Sequence, residues 1–276
     1  AFGPVLDVLI SIVLFGIAIV MFAGAGATFN QMYNMEPSFG SMLMTLAVVF
    51  TLLLNANSII NMIAALMPYL LGVIFILLIY SLFTVDYSIS ELNILAKKQQ
   101  SASSHWLTSA VLYVSYNIAA GAAMLILMGG TTKDRKAARR GGALGGGVLG
   151  LLILLINLAL FAKMDIVAGV DMPTLELAKQ IHPTVGNIMS IVLLAMIYST
   201  AVGTLYILAV RIVKKENLMM KIIVILLSLV GFAASLIGFT TLVGKLYTIM
   251  GYLGMVLIVA IVLAQIRILR TNKRKI

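Results

Sequence analysis

The chain has 276 residues, 62% of them hydrophobic and only 10% charged, and its mean hydropathy is +1.13. A water-soluble domain of this size needs far more polar surface, so the composition points to an integral membrane protein. The absence of cysteine excludes a disulfide framework and thiolate chemistry. The net charge of +10 is gathered into short loops instead of a face, which argues against nucleic acid as a partner.

Charges come in bursts between long uncharged runs, and the runs set the predicted elements. A helix crossing about 30 Å of hydrocarbon needs about 20 apolar residues. The runs predict spans near 7–29, 40–54, 59–84, 105–129, 143–162, 185–210, 220–240 and 246–266. The first division within 37–85 falls at 55-NANS-58, whose short polar residues favour a turn. The piece at 41–54 is short for a crossing. Barrel strands alternate in units of about ten residues, whereas these runs are continuously apolar. The expected fold class is an all-α membrane protein with eight transmembrane helices.

Of the 19 Lys and Arg residues, 14 fall at 133–140, 211–221 and 267–275, which eight alternating spans place on one side. The other side receives Lys97, Lys98, Lys163, Lys179 and Lys245 together with Glu36, Asp86, Glu91, Asp165, Asp171 and Glu176. By the positive-inside rule the C-terminus is expected in the cytoplasm of a multi-pass protein of the cell's inner (plasma) membrane. The basic clusters then face the anionic headgroups of the bilayer. The opening AFGPVLDV has no initiating Met, basic flank or small-residue cleavage site. It does not read as a signal peptide, and it is expected to be the cut end of a longer chain.

Along the chain, polar and small residues collect at three depths where plain membrane helices carry Leu, Ile and Val. The first is 22-FAGAGATFNQ-31, where Gly24, Ala25, Gly26 and Ala27 let another backbone or a ligand approach closely. The second is 113-YVSYNIAAG-121, with Tyr113, Ser115, Tyr116, Asn117 and Gly121. It has the ingredients of a helix break lining a cavity, or of a polar helix–helix contact. The third is 195-AMIYSTAVGT-204, in which Met196, Ser199 and Thr200 share a helix face. Their hydroxyls and a freed carbonyl would suit an alkali cation, or the hydroxyls bond back to the preceding turn.

Other signals are weaker. 141-GGALGGGVLG-150 lacks the ending of a phosphate loop, and Gly142, Gly146 and Gly150 read as a packing stripe. His105 and His182 stand alone at span borders and are poor metal ligands. Pro68 either kinks the third span or marks the end of the preceding turn, and 85–104 reads as an external helix or loop. Asp7 and Lys221 at the ends of their spans excepted, no charged residue lies within a predicted span, so a proton relay has no carrier. Nor is there a set of acids, bases and nucleophiles for an enzyme, and no cofactor is expected.

Taken together, 20-VMFAGAGATFNQ-31, 112-LYVSYNIAAGAAM-124, 172-MPTLELAKQIHP-183 and 198-YSTAV-202 resemble bacterial YkvI-like membrane proteins, relatives of the amino acid–polyamine–organocation and sodium-symporter transporters. The resemblance runs over essentially the whole chain. It implies the leucine-transporter fold, with ten core helices in two inverted repeats and helices 1 and 6 broken at mid-membrane. The eight spans here look like helices 3 to 10, so the resemblance implies that the first two are lacking. Residues 1–84 become the remainder of the first repeat and 105–267 the second. The expected function is secondary active transport of a small amino-acid-like or amine solute, sodium-coupled, by alternating access around a broken helix at 113–121. Solute would be bound by Gly24, Ala25, Gly26, Tyr113, Ser115, Tyr116, Asn117 and Gly121, and a sodium ion by Met196, Ser199 and Thr200. The alternative is a membrane sensor or partner subunit that keeps the fold without transporting.

Overall fold

A backbone in hydrocarbon has to satisfy its N–H and C=O groups within its own segment, and the apolar runs do so as helices. The computed structural model describes residues 3–54, 59–99, 101, 103–131, 134–213 and 217–273, with side chains throughout except at 3–6, 59–67, 70, 123–131, 265 and 268–273. The elements are α1 (Gly3–Tyr33), α2 (Pro37–Leu54), α3 (Ile59–Phe83), α4 (Ile89–Lys97), α5 (Trp106–Thr131) and α6 (Arg135–Ala162). They continue with α7 (Met164–Val167), α8 (Pro173–Ile181), α9 (Pro183–Ile212), α10 (Leu218–Ser235), α11 (Phe239–Leu242), a π-helical turn at Val243–Tyr247, and α12 (Thr248–Lys273). No strand occurs among the described residues. Six segments among them are long and apolar enough to cross a membrane: Asp7–Tyr33, Pro37–Leu54, Arg135–Ala162, Pro183–Ile212, Leu218–Ser235 and Phe239–Ala264. α3 and α5, whose side chains are described only in part, stand where the third and fourth spans are predicted.

The polar residues between runs start and stop helices. Ser88 and Glu91 form a reciprocal capping box at the start of α4, with Ser88 N–H donating to Glu91 Oε2 at 2.9 Å. Asp134 caps α6 through Lys136 N–H at 2.7 Å. The histidines have the same kind of work: His182 Nδ1 accepts from Thr184 N–H at 3.2 Å, and His105 Nδ1 from Leu107 N–H at 3.3 Å. Between α1 and α2, Asn34 takes a left-handed φ of 56°, a conformation Asn tolerates at a helix end.

Several boundaries differ from the sequence expectation. α2 has 18 residues, about 27 Å of helix, so the short second span is long enough. Pro68 lies inside α3, well past its start at Ile59. The last two runs divide at 236–238, not 241–245, because Gly238 (φ 102°) makes the turn. Lys245, expected in a loop, is inside the π-turn of the final helix. The predicted packing stripe of Gly142, Gly146 and Gly150 faces nothing within 4 Å among the described residues.

α1 is the hub. It is apolar on every side, as a helix enclosed by neighbours has to be, and it packs against α2, α5, α9, α10, α11 and α12. Leu14, Ala18, Val20, Phe22 and Ala25 are fully buried along it. Small residues set the closest approaches. A β-carbon at Gly26 would meet Ser41 Oγ at 2.5 Å and the Pro37 carbonyl, and one at Gly40 would meet Phe29 Cβ at 2.8 Å. These two glycines lock α1 to α2 by backbone proximity.

Hydrogen bonds fix the two ends of the bundle. At one end Gln31 of α1 joins Met172, Lys163 joins Asp86, and Thr240 donates to Asp171. At the other end Arg211, in the last turn of α9, pairs with Asp7 in α1.

Candidate functional site

At the first of these ends, α1 finishes in Gly24–Ala27 and then Thr28, Asn30 and Gln31. Gly24 has no side chain, so other groups settle on it: a β-carbon there would lie 3.3 Å from the Phe239 ring and 3.5 Å from Ile197 and Met172. Beside it opens a cavity of about 360 Å³. Its floor is Ala23 and Ala27 of α1, and Phe239 closes one side. The rim carries Glu36, Ser38 and Ser41 at the start of α2, Asp171 from the α7–α8 connection, and Ser235 at the end of α10.

The chemistry of this lining is one-sided. Two carboxylates and three hydroxyls line the space, and no Lys or Arg lines it among the described residues. Asp171 accepts a hydrogen bond from Thr240 Oγ1, which holds one carboxylate in place, and Glu36 is exposed at the rim. Such a lining attracts a small cation, with the Phe239 ring a second favourable contact for an ammonium. The cavity also lies at the amino end of α2, where the helix carries partial positive charge that favours a carboxylate. Among the described residues no cluster of His, Cys, Asp and Glu could hold a metal ion.

α8 is tied over this end of α1. The Gln31 carboxamide accepts from Met172 N–H at 2.9 Å and donates to Met172 O at 3.1 Å and Glu176 Oε2 at 3.0 Å. Lys179 Nζ donates to the Gln31 carbonyl and to Glu176, each at 3.2 Å. Nearby, Lys163 is buried, donating to the Thr84 carbonyl and to Asp86 Oδ2 at 3.2 Å, under the Tyr80 ring.

The predicted break in 113–121 is not there. α5 runs without interruption from Trp106 to Thr131. Asn117, expected to compete for backbone bonds, donates to the Tyr113 carbonyl of its own helix at 2.8 Å, which leaves the α-helical pattern intact. Ser115 is buried where α5 meets α12: Gly254 lies against its carbonyl, and a β-carbon at Gly251 would meet the Leu112 carbonyl at 2.9 Å. Tyr113 packs edge-on against Tyr116, which stacks on Tyr247 at 4.6 Å. Ala119 and Ala122 join Val13 and Ile17 of α1, well below Gly24. This stretch is therefore a helix–helix contact. The irregular turn lies in its partner, at Val243–Tyr247.

In α9, Ser199 Oγ and Thr200 Oγ1 both donate to the Met196 carbonyl, at 2.9 and 2.8 Å. This is the bond back to the preceding turn that such residues make in a helix. α9 is unbroken here, so the freed carbonyl expected for a cation set is absent, and the Met196 carbonyl is taken up by the two hydroxyls. The described contacts bring Gly24 to Ile197 of α9 and to Phe239, and join Gly26 to α2. They place Tyr113–Gly121 in a separate contact with α12 and the lower part of α1.

Sequence reasoning missed Glu36, Asp171, Ser235 and Phe239, because it read loop charges only as markers of sidedness. Asp171 and Glu36 each adjoin a helix start, and a carboxylate beside a small-residue helix end was the available signal. Neither a protein-family model, nor a curated protein, nor a solved structure matches the chain.

Proposed function

We propose that the chain is the membrane-embedded body of a sodium-coupled secondary transporter for a small amine-containing or amino-acid-like solute. The observation that carries this reading is the cavity at the end of α1, with two carboxylates, three hydroxyls and an aromatic ring but, among the described residues, no basic side chain. The solute's ammonium would sit between Glu36, Asp171 and Phe239, and the carboxylate of an amino acid would face the start of α2. In this reading the site lies at the outer half of α1 and not at the expected helix break, since α5 is continuous.

The helix packing supports a leucine-transporter-like arrangement. In that scheme α1 and α2 stand as helices 3 and 4, and α9 and α10 as their repeat-related partners 8 and 9. α1 touches both α9 and α10, and α2 touches both as well. Such reciprocal crossing is what two inverted repeats would produce. With the basic clusters inside, the cavity opens to the outside of the cell's inner membrane and the C-terminus is cytoplasmic.

The continuous α5 favours one second reading, a sensor or partner subunit that binds the solute without moving it. One experiment separates the readings. The purified chain is screened for thermal stabilisation by small amines and amino acids, in sodium and in potassium chloride, and hits are tested for uptake into proteoliposomes. Stabilisation by an amine that is lost in Glu36→Gln/Asp171→Asn, together with uptake, supports transport. Stabilisation without uptake supports the sensor. No response to any amine, or a response unchanged in the double variant, rejects the site.

A further inference from the structure

A second hollow lies at the other end of the molecule, and nothing in the transport reading uses it. It is a groove of about 430 Å³ between α1, α9 and α10. Val8, Ile12 and Phe15 are spaced by four and three residues, so they form one stripe along about 10 Å of α1. Leu208 and Ile212 of α9 and Leu227 of α10 form the facing walls. The groove is open to the side, since Val8 is 59% and Ile12 50% exposed.

A polar solute has little to hold here. The one hydroxyl among the described lining residues, Ser11 Oγ, donates to the Asp7 carbonyl of its own helix at 2.7 Å. In a membrane-embedded helix surface, an apolar fissure of this kind cannot be left to water and is filled by hydrocarbon.

The mouth of the groove adds charge. Arg211 sits there with its side chain 27% exposed, while its partner Asp7 is 72% exposed. Asp7 accepts from Nη2 of the guanidinium. A guanidinium has five N–H donors in a planar fork that matches phosphate oxygens. Lys221, in the first turn of α10, adds a second cation at the same end. An apolar slot under an arginine has the shape and polarity of a lipid: tail in the slot, phosphate at the mouth.

We propose that this groove binds an anionic phospholipid, with one acyl chain along Val8, Ile12 and Phe15 and the phosphate on Arg211. The site depends only on the chain being membrane-embedded, so it stands or falls separately from solute transport.

The test uses the full chain, purified in detergent and stripped of lipid. Thermal unfolding is followed with phosphatidylglycerol, with phosphatidylcholine of the same chains, and with inorganic phosphate alone. Phosphatidylglycerol should stabilise at concentrations where the other two do not. Arg211→Gln should weaken the effect by roughly ten- to a hundred-fold, as expected for a lost charge-assisted hydrogen bond. Because that change also frees Asp7, a second variant, Ile12→Trp, fills the slot and leaves the ion pair alone. It should abolish the preference for phosphatidylglycerol while circular dichroism shows the helices retained. Equal stabilisation by both lipids, stabilisation by phosphate alone, or a preference that survives Ile12→Trp would each overturn the proposal.

Discussion

The carbonyl of Ser115 occupies the place where any side chain at Gly254 would have to begin. α5 and α12 thus meet backbone to backbone, with Leu112 and Gly251 one turn away repeating the contact. Between membrane helices there is little hydrophobic driving force, so close van der Waals packing of this kind is what joins them. It also explains why 113–121 is rich in small and polar residues without being broken: it is shaped for a neighbouring helix.

Gly254→Leu should therefore separate α5 from α12 and destabilise the fold by about 1–3 kcal/mol or more, since the obstructing atom is backbone and cannot rotate away. Gly203→Ala is the matched control, because nothing lies within 4 Å of its β-carbon position. That change should be neutral or stabilising by up to about 1 kcal/mol, from the helix propensity of alanine. Thermal unfolding in detergent reads both, and equal melting temperatures would contradict the contact.

The helices were legible because charges in this chain are scarce and mark helix ends. Each of the eight runs overlaps a long helix among the described residues, six of them long and apolar enough to cross a membrane, and the small-residue stretch at 24–27 does sit at a close approach. The misplacements have definite causes. Lys245 was read as a loop charge, yet it lies exposed on a π-turn, and Gly238 makes the break instead. Asn117 was read as a breaker, yet its carboxamide is satisfied by the Tyr113 carbonyl one turn back. The cavity was illegible because Glu36 and Asp171 lie far apart in sequence and meet only through the packing of α1 with the 235–239 turn.

Lys163 falls among the loop charges of the outer side by sequence, but its side chain is 5% exposed while its partner Asp86 is 77% exposed. Lys163→Met keeps the length and removes the donor to the Thr84 carbonyl. A polar group left without its partner costs about 1–3 kcal/mol, so the melting temperature should fall. Amine-reactive labelling followed by mass spectrometry gives an independent reading. Lys97 and Lys98, both exposed, should label in the folded protein, and Lys163 only after unfolding.

The capping box of α4 predicts a pH dependence outside the membrane segments. Hydrogen bonds from Ser88, side chain first and backbone second, lower the Glu91 pKa below its ordinary value. A depressed carboxylate pKa stabilises the folded form at pH above the unfolded value, near about 4.3 for glutamate, and that contribution is lost as pH falls through the folded value. Amides of Ile89–Lys97, corrected for intrinsic exchange, should lose hydrogen-exchange protection below about pH 4. Ser88→Ala should remove that acid-dependent step. Protection that is the same at acid and neutral pH would show that the box does not hold the helix.

The last prediction concerns the coupling ion. Ser199 and Thr200 now spend their hydroxyl protons on the Met196 carbonyl, at 2.9 and 2.8 Å. Their lone pairs are what a cation would use, and turning the two hydroxyls away on binding would release the Met196 carbonyl as a third oxygen. Within the proposed function, sodium would bind there and stabilise the protein where potassium, being larger, would not. Thr200→Val keeps the shape and removes one of the three oxygens. Losing one such contact to a charged partner costs about 1–3 kcal/mol, or roughly five- to 150-fold in sodium affinity. Thr204→Val serves as the control, because Thr204 is bonded one turn further on, to the Thr200 and Ala201 carbonyls. Sodium-dependent shifts in melting temperature read all three proteins against potassium chloride at equal ionic strength. Shifts that are the same in sodium and potassium, or unchanged in Thr200→Val, would leave these hydroxyls with their helical bonds as their whole role.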